Sequence, residues 1–312
     1  MKATRFCILL VLISSSTFVQ AQDELDKLLD EQESKEKKKE YVTAAFKATR
    51  VINLQSLEKK APGALEFRIA HRFGALNGGA YQLLGLDQAT MRLSLEYGIN
   101  RFVMAGFGRS TYEKTYDVYA KTTIIQQQKG ARNLPFSLLY YFNVAANGLK
   151  WQDPSRTNYF SSRLSYVHQL IIGSKVSESF SFQLSPTVTH KNLVPNNQDQ
   201  NGTGFFGQNN FYAIGAAGRI KVSKRMAITA EYIYRLPPAD KTAATYAPFY
   251  NSLSVGVDIE TGGHVFQFHL TNSLSMFDRA FITETGQSWT NGGIHLGFNI
   301  TRDFTLKKNT KK

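Results

Sequence analysis

From Ala64 onward, apolar and polar residues alternate with a period of two in segments of about ten residues. Between Ser179 and Thr189, Phe180, Phe182, Leu184, Pro186 and Val188 alternate with Ser181, Gln183, Ser185 and Thr187. Leu253, Val255, Val257 and Ile259 alternate in the same way with Ser254, Gly256, Asp258 and Glu260. So do Ile294, Leu296, Phe298 and Ile300 with His295, Gly297, Asn299 and Thr301. Successive side chains of a strand point to opposite faces, so each segment has one apolar and one polar face. A strand of a soluble sandwich averages about five or six residues. Repeated alternation over about ten is the pattern of strands that cross a membrane.

About twelve strands are expected (range about 10 to 14), near residues 64–73, 89–97, 101–110, 115–123, 134–145, 158–171, 177–190, 209–221, 226–234, 250–260, 264–272 and 291–301. Their connections alternate in length. Short turns fall at Gly98–Asn100, Gly173–Val176, Val222–Arg225 and Thr261–Gly263. Long loops fall at Gly74–Gln88, Ala146–Thr157, Lys191–Gln208, Leu236–Phe249 and Ser273–Thr290. Barrel insertion leaves short turns on the periplasmic side and long loops outside. Thr111–Lys114 and Ile124–Asn133 break the alternation. The expected fold is all-β, a closed antiparallel transmembrane β-barrel over residues 63–312.

The start of the chain reads as an export signal. Lys2 and Arg5 precede the apolar run Phe6–Ile13, and Val19-Gln20-Ala21 offers the small residues needed before cleavage, so residues 1–21 are expected to be removed after Ala21. The run is about half of the roughly 20 residues that a spanning helix needs. Residues 22–62 are expected to form a short charged periplasmic segment. Its first part, 23–40 (DELDKLLDEQESKEKKKE), is nearly all charged, with Leu25, Leu28 and Leu29 at helical spacing.

Composition changes this picture in three ways. The lone cysteine, Cys7, lies in the signal, so the mature chain has no disulfide, thiolate metal site or cysteine nucleophile. The net charge of +13 loses only Lys2 and Arg5 with the signal, and the remaining basic residues are scattered rather than gathered into a stripe. Nucleic acid is therefore not an expected partner. The 22 phenylalanines and 15 tyrosines, many at strand ends such as Phe102, Tyr140, Tyr232, Tyr234 and Phe304, suit aromatic girdles at the two membrane interfaces.

Two segments early in the chain, Phe46–Glu58 (FKATRVINLQSLE) and Leu65–Gly74 (LEFRIAHRFG), resemble an uncharacterised outer-membrane β-barrel family of Bacteroidota-type bacteria, labelled only as a domain of unknown function. Leu134–Ser137 and Gly292–Ile300 are similar to it as well. The resemblance implies the fold and an outer-membrane location. It brings no activity, substrate or site residue.

Candidate functional residues are the polar groups on the inward parity. These are Glu66, Arg68 and Arg72 on the first strand, Arg92 and Glu96 on the second, Arg163 on the sixth, Glu231 on the ninth, Asp258 and Glu260 on the tenth, and His269 and His295 on the last pair. Unpaired charges inside a narrow lumen are costly, so a network of ion pairs is expected, with Arg92 and Glu96 set against Glu66 and Arg68 on the neighbouring strand. An arginine at Ser254, on the lumen parity, is expected to be far milder than one at Val255 or Val257. His269 and Thr271 have the His-x-Ser spacing of some outer-membrane lipid hydrolases. Phe266, Phe268 and Leu270 take the lipid face, which turns that pair inward and away from such a substrate.

The histidines are dispersed, and no glycine-rich segment forms a phosphate cradle, so neither metal nor cofactor is expected. Gly202 and Gly204 belong to a loop, and Asn201-Gly-Thr203 matches a glycosylation acceptor only formally. The expected function is a narrow or plugged outer-membrane barrel for passive transport or binding of small anionic solutes. The alternative is a structural or interaction scaffold. Expected partners are outer-membrane lipid and an envelope protein engaging residues 22–62.

Overall fold

The computed structural model describes residues 39–151, 153–194, 208–237 and 249–306. The expected signal, nearly all of the charged arm and the Asn201–Thr203 match lie outside these residues.

Twelve strands form one closed antiparallel sheet. In chain order they are β1 (Ala64–Ala75), β2 (Ala89–Gly98), β3 (Val103–Ser110), β4 (Tyr116–Ile125), β5 (Ser137–Ala146), β6 (Leu164–Lys175), β7 (Phe180–Lys191), β8 (Asn210–Lys221), β9 (Met226–Arg235), β10 (Ser252–Thr261), β11 (His264–Thr271) and β12 (His295–Thr305). Each pairs with the next, and β12 returns to β1, with Asn299 opposite Ala70 and Ile300 opposite Ile69. Closure leaves no free strand edge, which is what allows a sheet to lie in hydrocarbon. The two irregular connections exist as expected: β3 reaches β4 through a short 3-10 turn at Tyr112–Lys114, and a longer link follows β4.

Burial follows the expected parity. On β7, Ser181, Gln183, Ser185, Thr187 and Thr189 are buried, whereas Phe180, Phe182, Leu184 and Val188 are exposed on the outer face. The outer face is thus apolar and the inner face polar, the reverse of a soluble protein. Val255 lies on the outer face, so Val255→Arg should cost about 2–4 kcal/mol near the bilayer midplane and prevent assembly. Val255→Leu should assemble normally. The check is recovery of folded barrel from membranes for the two variants. The expected mildness of arginine at Ser254 does not hold. Ser254 is fully buried, its hydroxyl donates to Thr271 at 2.9 Å, and it accepts from the Asn53 amide at 3.2 Å. The lumen is already full.

What fills it is the segment assigned by sequence to the periplasm. The expected boundary at residue 62 is therefore corrected: Ala45, Phe46 and residues 48–57 are buried inside the barrel. They form an irregular hairpin closed by Ser56 N–H donating to Thr49 O (2.9 Å) and Val51 N–H to Leu54 O (2.8 Å). Phe46, Val51, Leu54 and Leu57 belong to one apolar cluster with the inward residues Met104, Leu139, Val167, Ile171, Ala217 and Ile233. Fully burying a side chain of this size contributes about 1.5–3 kcal/mol, which holds the hairpin against a wall that is otherwise polar.

The barrel is also filled from its other end. The β11–β12 connection turns inward and carries a short helix, α1 (Asp278–Thr283), all of whose residues are buried. A second compact unit, Met1–Val42 with Gln127–Pro135, contains among its described residues a two-residue ladder of Glu40–Tyr41 on Gln128–Lys129.

Candidate functional site

The plug is gripped mainly through its main chain. Glu231, fully buried on β9, accepts three consecutive N–H groups: Ile52 at 3.2 Å, Asn53 at 2.9 Å and Leu54 at 3.0 Å. Successive amides pointing one way make a concave anion site, and here the anion comes from the wall. Lys121 on β4 does the converse. Its ammonium donates to Thr49 O (2.9 Å), Ser56 O (3.0 Å) and Glu58 O (2.8 Å). Gln183 donates to Gln55 O at 2.7 Å, Gln267 to Val51 O at 2.7 Å, and Asn299 to Ile52 O at 3.2 Å. Arg219 holds Ala44 O and Ala45 O at 3.0 and 2.9 Å. An irregular segment can be buried only if its backbone groups find partners, and these six wall residues supply them.

Charged side chains join the plug, the wall and the inward loop. Arg50 of the plug pairs with Asp278 of α1 at 3.0 Å, and Tyr141 donates to the same carboxylate at 2.8 Å. Arg92 on β2 meets Asp117 on β4 through two bonds of 2.8 Å, reinforced by Asn143 at 3.1 Å. The guanidinium groups of Arg50 and Arg92 lie 5.6 and 5.9 Å from the Tyr119 ring centroid, and the Tyr119 hydroxyl donates to Glu96 at 2.9 Å. Arg68 bonds Glu66 and the Thr49 hydroxyl of the plug at 2.9 and 2.8 Å. At the long-loop end, Arg279 pairs with Glu113 and, at 2.6 Å, with Glu284, which also takes Lys191. Burial pushes the Glu113 carboxyl above its ordinary value, against the pull of Arg279.

Of the expected lumen residues, Glu66, Arg68, Arg72, Arg92, Glu96, Glu231, Asp258, His269 and His295 are all buried on the inner face. Arg163 is not among them. It ends a 3-10 turn before β6, where it donates to Asn147 O (2.8 Å) and Leu149 O and lies over the Trp151 ring. The sixth strand starts at Leu164, not near 158, and this late start leaves Arg163 to fasten a loop. Glu260 is exposed and reaches Lys47 of the plug. For Arg92 the expected pairing across to the first strand is corrected: Arg92 reaches past β3 to Asp117. It can do so because Gly108 stands between them; any side chain there would occupy the space of the Arg92 guanidinium.

Sequence reasoning missed Asp117, Lys121, Gln183, Arg219, Gln267 and Asn299, although their strand parity marks them as inward. It also missed Arg50 and Asp278, which lie outside any strand. His269 and Thr271 are buried inside, as expected from the outward Phe268. A lipid substrate at the outer face does not meet them.

The buried charges on the strands are nearly balanced. Arg68, Arg72, Arg92, Lys121, Lys191 and Arg219 face Glu66, Glu96, Asp117, Glu231 and Asp258. Among the described residues no group of His, Cys, Asp and Glu side chains has the arrangement to hold a metal ion.

Several solved barrels resemble the chain at low identity. The NanC porin shares 10% identity with a TM-score of 0.47, covering 78% of this chain and 100% of its own. The KdgM porin shares 10% with a TM-score of 0.44, covering 78% and 99%. The COG4313 outer membrane channel from Pseudomonas putida F1 shares 11% with a TM-score of 0.45, covering 79% and 97%. No curated protein sequence matches. The family described as membrane bound beta barrel domain (DUF5777) matches residues 46–304, a span that begins with the plug and ends in the last strand. The chain belongs to this family of membrane-bound β-barrels.

Proposed function

We infer that the protein is a gated outer-membrane barrel for passive movement of small solutes, closed at rest by its own N-terminal segment. The observation that carries this reading is the grip on the plug. Residues 43–58 are held by wall side chains whose geometry matches main-chain donors and acceptors, while the strand ladder closes without them. A segment bound in this way can leave and return without the barrel unfolding. The export signal read in the sequence and the alternation of short turns and long loops support a barrel whose short-turn end faces the periplasm. The plug then enters from the periplasmic side, and the residues upstream of it offer an envelope protein something to pull.

The solute preference is mildly anionic. Six buried cations face five buried anions on the strands, and Lys121 and Arg219 hydrogen-bond only to plug carbonyls, so they would be exposed when the plug leaves. Charged rings of this sort bias permeation toward the opposite sign. The test is reversal potential in a salt gradient with Leu57→Asp, which introduces a charge into the apolar cluster and loosens the plug. The expected result is a current with anion permeability a few-fold above cation permeability. Equal permeabilities would remove the anionic preference, and a variant silent at all voltages would favour the scaffold reading.

A further inference from the structure

We propose that the lumen is a binding site for short peptides, with the plug as its built-in occupant. The inference rests on the reading that the plug can leave, and it names the class of ligand that can take its place. Three features of the wall point to a peptide rather than to a generic polar solute. The first is polarity matched to a chain of amides: a carboxylate that takes three consecutive N–H groups, set among donors that reach the carbonyls of residues 51, 52 and 55. Glu231 can use only donors, while Lys121, Gln183, Gln267 and Asn299 here act as donors. A peptide presents both kinds of group at fixed spacing.

The second feature is the pair of glycines that receive side chains. A Cβ placed on Gly215 would lie 2.9 Å from Leu54 Cδ1, and one on Gly256 would lie 3.3 Å from Ile52 Cδ1. At Gly215 the plug's Leu54 is what an added side chain would meet first, whereas at Gly256 it would meet Phe268 O (2.7 Å) and His269 Cβ (2.8 Å) of the adjacent strand before Ile52. The wall therefore has two side-chain recesses, for residues two apart, beside a main-chain grip. The third is that Asn53, between these two residues, is read by Arg72 at 3.0 Å on its carbonyl and by Ser254 at 3.2 Å on its amide nitrogen. The ligand class is a tightly turned peptide of the form aliphatic-amide-aliphatic, a description that does not fit a saccharide.

The experiment measures binding of a fluorescent peptide with the sequence of residues 46–57 to the full-length chain in detergent micelles. A covalently tethered plug competes at high effective concentration, so the wild type should bind the peptide weakly. In Leu54→Ala the tethered plug loses its hold in the Gly215 recess, and the added peptide should bind at least ten-fold more tightly than to the wild type. Ile52→Ala, which empties the Gly256 recess, is the second variant for the same comparison. The peptide with its Leu54 equivalent replaced by alanine should bind at least ten-fold more weakly, and an oligosaccharide of similar mass should not displace the probe. No saturable binding to either variant, or equal displacement by the oligosaccharide, would overturn the proposal. Bilayer conductance of the same preparations separates the two claims: a variant that conducts without binding peptide defeats only the ligand class, and one that neither conducts nor binds defeats the gate as well.

Discussion

Glu231→Ala should release the plug while leaving the barrel assembled. The substitution leaves three main-chain N–H groups at Ile52, Asn53 and Leu54 without their acceptor, in a region closed to solvent. Each buried donor left unpaired costs about 1–3 kcal/mol. Removing the carboxylate also removes its own burial cost, so the net effect is smaller than the sum and comes to about 3 kcal/mol. That loss corresponds to a rise of roughly a hundred-fold in the population of released plug. The strand ladders do not involve the Glu231 side chain, so folded barrel should be recovered at wild-type yield. The check is alkylation of a cysteine placed at Ala48, which is buried in the plug, in a chain whose only other cysteine is Cys7. Glu231→Ala should speed labelling strongly, and Glu231→Gln, which keeps an acceptor oxygen, should speed it less.

Arg92→Leu should destabilise the barrel itself, by about 3–5 kcal/mol, because it strands the buried Asp117 carboxylate with Asn143 as its remaining hydrogen-bond donor. The pair joins β2 to β4 across β3, so its loss falls on the wall rather than on the plug. Replacing both members, with Arg92→Leu and Asp117→Leu together, should recover much of the loss, since an apolar pair of similar volume has no desolvation cost to offset. The measurement is the urea midpoint of refolded barrel in vesicles for the two single variants and the double. A single variant with a wild-type midpoint would show that the pair is not buried as described.

The strands were legible because they separate two solvents. On β7 and β10 one face meets lipid and the other a polar interior, and this contrast writes a period of two into the sequence. Nine of the residues that this parity turns inward, Arg72 among them, are buried in the structure. It failed at Arg163 because parity says nothing about where a strand begins. It failed for the plug for a different reason. Residues 48–57 are enclosed by the wall, so Thr49, Arg50, Asn53, Gln55 and Ser56 are as buried as Val51 and Leu54, and no face remains to create a period. Without that signal, a segment next to a charged arm reads as part of it. The Arg92–Asp117 pair was hidden because it depends on a missing side chain, at Gly108 on the strand between.

The most direct test of the closed lumen uses one channel and one reversible tether. Cysteines at Asn53 and Ser254, whose native side chains lie 3.2 Å apart, can be joined by a short reducible thiol cross-linker in the Glu231→Ala background. In planar bilayers the uncross-linked protein should show stepwise conductance, lose it when the plug is tethered to β10, and regain it on reduction. The wild type should be silent at low voltage. Free conductance through the wild type, or a current that persists through cross-linking, would contradict a lumen closed by residues 43–58.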